Sequence, residues 1–147
     1  MTIVAVSGRQ MAADSWEFAD HIGFPVGFPK IVRAPDGSLI GGSGGSMGCY
    51  ELYKWVLAGM PEDKTPELPD DEPLTWLWLK TDGSLWMGQE TFSPWPIHSP
   101  NCIGQENPGS MVLAALNAGQ DLFTATEFAV ARCNKVGGPI QLESLDG

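Results

Sequence analysis

The segment Leu39–Gly48, LIGGSGGSMG, decides how this chain is read. Both Gly41–Gly45 and Gly44–Gly48 fit G-x-S-x-G, the strained strand-to-helix turn that exposes the nucleophile of a serine hydrolase. That reading needs a mostly parallel, doubly wound sheet, followed along the chain by an acid and a histidine. The order can be met by Ser43 or Ser46, an acid of the following loop and His98. The architecture cannot, as the flanking sequence makes plain.

Upstream, Ile3–Val6 and Met11–Ala13 flank the turn residues Ser7–Gln10, and Lys30–Arg33 and Leu39–Gly42 flank Pro35–Ser38, so two hairpins precede the glycine segment. Residues 16–29, WEFADHIGFPVGFP, read as an irregular packed loop. From Ser46 the period changes: Cys49, Leu52, Tyr53 and Val56 form a helix face that Gly59 and Pro61 stop. A third hairpin, TWLWLK and SLWMG about Thr81–Gly83, is apolar on both faces and is expected to be covered on both. Asn101–Gly104 reads as a strand, Pro108 as the opening of a helix that ends at Gly119, Thr124–Glu127 as the capping box of a helix over FAVARCNK, and Ile140–Leu142 as a last strand. Hairpins rather than βαβ units imply antiparallel sheets with helices layered outside.

Composition narrows the function. A chain of 147 residues fits one domain over 1–147, and no apolar run approaches the ~20 residues of a membrane span. The start, MTIVAVSGRQ, lacks the basic and long apolar regions of a secretory signal, and three scattered cysteines, Cys49, Cys102 and Cys133, suit a reducing cytoplasm. Net charge is −10 with eight scattered basic residues, which argues against nucleic acid. Six of the eighteen acidic residues lie in PEDKTPELPDDEP, residues 61–73, whose four prolines make it a solvated loop. His21 and His98 have no partners at metal-ligand spacing and read as structural, and a thiol pair of Cys102 with His98 is disfavoured by its proline-rich loop.

The glycine segment also lacks the Gly-Lys-Ser/Thr ending of a phosphate loop. What it offers is a set of backbone N–H groups at a helix N-terminus, able to hold an oxyanion whichever residue attacks. Thr2 stands directly before the first strand and, once Met1 is trimmed, would carry its own base, because an α-amino group titrates near pH 8. Asp14 follows the second strand and Lys30, the sole lysine of the first fifty residues, begins the third, so both can lie beside the start of the first.

At this point the chain resembles a known family. MTIVAV, AADS, PKIVR, LIGGSGG, NCIGQ with PGSMVLAALNAG, ATEFAVARC and GGPIQL occur in the order and spacing of proteasome β-type subunits, and resemble most the HslV peptidase and its short phage and prophage forms. The resemblance implies an N-terminal-nucleophile hydrolase, α+β, a four-layer α-β-β-α sandwich of two antiparallel sheets with a shortened helical layer. It implies Thr2 as nucleophile, Asp14 and Lys30 as supporting acid and lysine, and the Gly42 N–H as oxyanion donor, with no metal or other cofactor. It further implies a homo-oligomer, ring-like or dimeric, a peptide or protein substrate, and room for an ATP-dependent unfoldase. Two departures stand out: the acidic proline loop replaces a long helix, and Gln105-Glu106-Asn107 replaces a serine and glycine near the nucleophile. Gln105 either hydrogen-bonds the threonine amine or marks lost activity, so a catalytically inactive assembly protein and the Ser43 or Ser46 hydrolase stand as alternatives.

Overall fold

The computed structural model describes residues 2–19, 22–25 and 29–147, with the backbone alone for 17–19 and 22–25. Met1 and His21, whose removal and structural role the sequence suggests, lie outside the described residues. Among the described residues, eleven strands and three α-helices follow the order β1 (Ile3–Ser7), β2 (Gln10–Ala13), β3 (Trp16–Ala19), β4 (Ile22–Pro25), β5 (Ile31–Arg33), β6 (Leu39–Gly44), α1 (Ser46–Leu57), β7 (Leu74–Leu79), β8 (Leu85–Gln89), β9 (Trp95–Ile97), β10 (Asn101–Gly104), α2 (Glu106–Asn117), α3 (Leu122–Val130) and β11 (Gln141–Ser144). The protein is α+β. One sheet runs β10-β1-β2-β11, the other β5-β6-β7-β8-β9, and β3-β4 forms a separate ribbon. Every described strand pair is antiparallel.

Alternation along the strands creates three stacked interfaces. Val4, Val6, Met11, Ala13 and Ile103 of the first sheet meet Ile31, Leu39, Leu77, Leu79 and Leu85 of the second. The other face of the first sheet, Ala5 and Ala12, takes Val112 of α2 and Leu122, Ala125 and Ala129 of α3. On the far face of the second sheet, Ile40 and Trp76 take Leu52, Trp55 and Val56 of α1. Helices thus cover both outer faces, and small residues at Ala5, Ala12, Ala125 and Ala129 let α3 seat close to its sheet. The third hairpin is only partly covered outside: Trp78, packed against the cluster beneath α1, and Trp86 are half-buried beneath the Lys80 ammonium, which sits 4.3 and 3.8 Å from their ring centres.

Five sequence expectations need correction. Residues 16–29 contain the β3-β4 ribbon, pairing Trp16 with Pro25; a strand that pairs on one side tolerates proline at its end. The same reason explains β9, absent from the sequence reading: Pro96 lies on the edge strand, opposite Trp86. α2 opens at Glu106, two residues before Pro108, because a proline in the first turn gives up an N–H that has no helical partner. The capping box is displaced too. Asp121 caps α3, accepting the Thr124 N–H at 2.8 Å and its hydroxyl at 3.1 Å, and the helix ends at Val130 instead of covering FAVARCNK. The final strand runs Gln141–Ser144, one residue later at its start than read.

The Asp121 cap makes a pH prediction. The backbone N–H of Thr124, then its hydroxyl, hold the Asp121 carboxyl below its usual value. A depressed folded value means stability that is present above the unfolded carboxylate range, about 4, and is lost as pH falls through the folded value. Thermal melts taken downward from neutral pH are expected to show a loss in the wild type that is smaller in Asp121→Asn.

Among the described residues no helix is long and apolar enough to cross a membrane.

Candidate functional site

Asp14 and Lys30 meet at the ends of β2 and β5, beside the start of β1. Asp14, fully buried, directly follows β2, where the register sets its neighbour Ala13 opposite Val4 of β1. Its carboxylate is fully engaged: Oδ1 accepts the Ile3 N–H at 3.0 Å and the Lys30 ammonium at 2.8 Å, while Oδ2 accepts the N–H groups of Trp16 at 3.3 Å and Gly137 at 3.2 Å. Lys30, 5% exposed, also donates from Nζ to the Trp16 carbonyl. One carboxylate oxygen therefore bridges the ammonium to the peptide that joins Thr2 to Ile3. The Thr2 carbonyl accepts the Gln105 N–H at 3.0 Å, which ties the start of β1 to the N-cap residue of α2. Gln105 thus reaches Thr2 through its backbone.

Gly104 makes this last contact feasible. Its φ of +106° is a region that favours glycine, and a Cβ there would fall on the Thr2 carbonyl. A cleft of about 680 Å³ opens beside it, between Gln105–Pro108 and the turn Arg132–Val136.

Gly42 lies on β6 opposite Trp76. The neighbouring Gly41 permits the approach of β6 to β1, since a Cβ there would stand 2.6 Å from Cγ1 of Val4. The β5-β6 ladder starts at the Ile31–Gly41 pair, and one step beyond it the Tyr53 hydroxyl takes over. It accepts the Gly42 N–H at 3.2 Å and donates to the Lys30 carbonyl at 2.8 Å. Burial, reinforced by the nearby Cys49 and opposed by the Gly42 N–H, pushes the Tyr53 hydroxyl upward, so it stays a neutral donor at neutral pH. Asp14 and Lys30 are thus hydrogen-bonded to the peptide that follows Thr2, and Tyr53 links the Lys30 carbonyl to the Gly42 N–H.

The glycine turn itself differs from the expectation of outward-facing amides. The Gly45 N–H meets the Pro73 carbonyl at 2.8 Å and the Gly48 N–H meets Oε1 of Glu72 at 2.9 Å. A carboxylate at a helix N-terminus is favoured by the dipole, so the last acid of the otherwise exposed acidic loop is taken up as a cap for α1. The elbow geometry is likewise not formed. Ser43 is paired with Thr75 inside an antiparallel sheet, Ser46 opens α1, and exposed His98 follows β9, three strand spacings of about 4.8 Å from β6. Cys102 is paired with Ala5 on β10, and burial pushes its thiol up to about 12, leaving it protonated and a poor nucleophile. Among the described residues no group of three His, Cys, Asp or Glu side chains could hold a metal ion.

Sequence reasoning missed Tyr53, read only as part of an apolar helix face, and Gln141. The Gln141 carboxamide accepts the Lys30 N–H at 2.8 Å and donates to the Asp14 carbonyl at 3.2 Å, fastening both ends of the ion pair to β11. Neither carries a local motif; the signal for each is a contact between segments distant in sequence.

No protein-family model matches the sequence, and no curated protein matches it. Solved structures do. Eukaryotic HslV from Trypanosoma brucei superposes with a TM-score of 0.70 at 15% identity, covering 97% of this chain and 98% of that one. Thiobacillus denitrificans BPH superposes with a TM-score of 0.66 at 16% identity over 99% and 98%, and the same protein in complex with epoxomicin does so with a TM-score of 0.66 at 12% identity over 98% of each. At these identities the likeness establishes the fold, which is HslV/proteasome-like. The expectation of an HslV/proteasome-like fold is met.

Proposed function

We propose that the protein is a cytoplasmic N-terminal threonine hydrolase, a peptidase or amidase with the N-terminal-nucleophile sandwich as a single domain over 1–147, resembling the short phage and prophage form of HslV. The observation that carries this reading is the Asp14 carboxylate joining the Lys30 ammonium to the peptide immediately after Thr2, all buried. A fixed positive charge next to a hydroxyl favours loss of its proton. After cleavage frees the Thr2 amine, that amine takes the proton of the Thr2 hydroxyl as Oγ attacks a substrate carbonyl. The carbonyl oxygen becomes an oxyanion held by the Gly42 N–H. Its collapse breaks the C–N bond, the protonated Thr2 amine returns the proton to the leaving amine, and an acyl ester remains on Oγ. Water then adds to the ester with the amine as base, releasing the acid and restoring the hydroxyl. The reaction needs neither metal nor other cofactor. Substrate has room in the cleft beside Gln105, and self-association into a ring or dimer, served by an unfoldase, follows from the same resemblance.

A second reading, a catalytically silent assembly protein, draws on the engagement of the Gly42 N–H by Tyr53. Adduct mapping separates the two. Protein incubated with epoxomicin or a peptide boronate is expected to gain one adduct that peptide mapping assigns to a processed N-terminal Thr2. An unprocessed, unmodified chain would favour the silent protein, and an adduct on Ser43 or Ser46 the serine hydrolase.

A further inference from the structure

The Gly42 N–H can point at only one acceptor, and in the resting protein that acceptor is a phenol. We propose that Tyr53 is a positioning residue that gates the oxyanion donor: its hydroxyl holds the Gly42 amide until substrate binds and swings off as negative charge develops there. The inference rests on the assignment of Gly42 as that donor.

Three features of the contact support a gate rather than a fixed strut. First, the two bonds of the hydroxyl are unequal. Donation to the Lys30 carbonyl, at 2.8 Å, is short, whereas acceptance from Gly42, at 3.2 Å, lies at the long end of the normal range. Second, the competitor is stronger. An oxyanion makes a charge-assisted bond about twice as strong as a neutral one, so the developing charge can displace the phenol, whose departure otherwise would leave a buried N–H unpaired. Third, the ring has room to tilt off Gly42 while keeping its bond to the Lys30 carbonyl. Tyr53 borders a cavity of about 400 Å³ between α1 and the edge strand β5, lined by Ile31, Val32, Leu57 and the cations Arg33 and Lys54. Glycine at 42 suits this arrangement, because a Cβ there would stand 2.9 Å from Leu52 Cδ2 and 3.7 Å from the Tyr53 hydroxyl, so that the Leu52 side chain would have to shift. Between turnovers the phenol thus satisfies a donor that the site needs unpaired only when charge appears.

Removing the hydroxyl while keeping the ring is the direct test. Tyr53→Phe, checked as folded by its melting curve, is expected to form the Thr2 boronate adduct roughly three- to tenfold faster than wild type, the worth of one net hydrogen bond. A folded variant that reacts at the wild-type rate or slower overturns the gate while leaving Thr2 as nucleophile intact. If neither protein gives an adduct that depends on Thr2, the hydrolase reading itself falls, and the gate with it. A second measurement uses the wild-type sequence and so does not depend on the variant folding. With two tyrosines in the chain, Tyr50 exposed and Tyr53 buried, 3-fluorotyrosine labelling gives two distinguishable ¹⁹F resonances. Boronate is expected to move the Tyr53 resonance and leave that of Tyr50 in place; an adduct that leaves Tyr53 unmoved overturns the proposal.

Discussion

Thr2→Ala is expected to lower peptide hydrolysis by at least about a thousandfold while leaving the melting temperature nearly unchanged. The chemical half follows from loss of the atom proposed to bond covalently to substrate; in enzymes with an activated hydroxyl nucleophile such losses reach about 10⁶, with binding and oxyanion donors supplying what remains. The structural half follows from where the residue sits. Thr2 is half-buried, and its recorded tie to the fold is its carbonyl, which accepts the Gln105 N–H and survives the substitution. Thr2→Ser keeps a hydroxyl at the same place and is expected to retain measurable turnover. Initial rates on a fluorogenic peptide amide, with melting curves alongside, check both halves. Full activity in Thr2→Ala would end the threonine reading, and loss of activity together with loss of the fold would mean that position 2 is structural.

Asp14→Ala is expected to act mainly on stability, with activity falling as a consequence. The variant leaves the Lys30 ammonium buried without its carboxylate and orphans the N–H groups of Ile3, Trp16 and Gly137. Breaking a buried pair from one side costs about 3–5 kcal/mol, because the remaining charge stays desolvated. For a domain of this size that corresponds to roughly 6–20 °C in melting temperature. The double variant Asp14→Leu/Lys30→Met is expected to recover the part of the loss that the unpaired charge causes, while the three backbone N–H groups stay without the carboxylate. It would regain stability without regaining hydrolysis. A melting temperature for Asp14→Ala within a degree or two of wild type would show that the pair does not fasten β1 to β5.

The two substitutions separate the roles that one carboxylate combines. Asp14 sits at the junction of β1, β2, the loop before β5 and the segment before β11, so it fixes where the ammonium stands as well as whether the chain holds together. A site built on strand ends between two packed sheets gains its rigidity from the core behind it, here Val4, Met11, Ile31 and Leu39.

Local patterns fixed much of this in advance. The three hairpins, the helix face of α1 and the antiparallel class are written in alternation, in turn residues and in the change of period at Ser46, because these depend on neighbours a few residues apart. That Asp14 and Lys30 can lie beside the start of β1 was also legible from their places at strand ends, but their meeting across two different sheets was decided by the packing of those sheets. The ribbon β3-β4 and edge strand β9 were not legible, because proline and glycine masked them and pairing on one side forgives both. The position of Tyr53 against Gly42, the capping of α1 by Glu72 and the clasp of Gln141 on the ion pair were decided only when the sheets and helices packed. Each satisfies a polar group left over by secondary structure, and which side chain arrives to do so is settled by the packing of remote segments, for which a linear sequence carries no local mark.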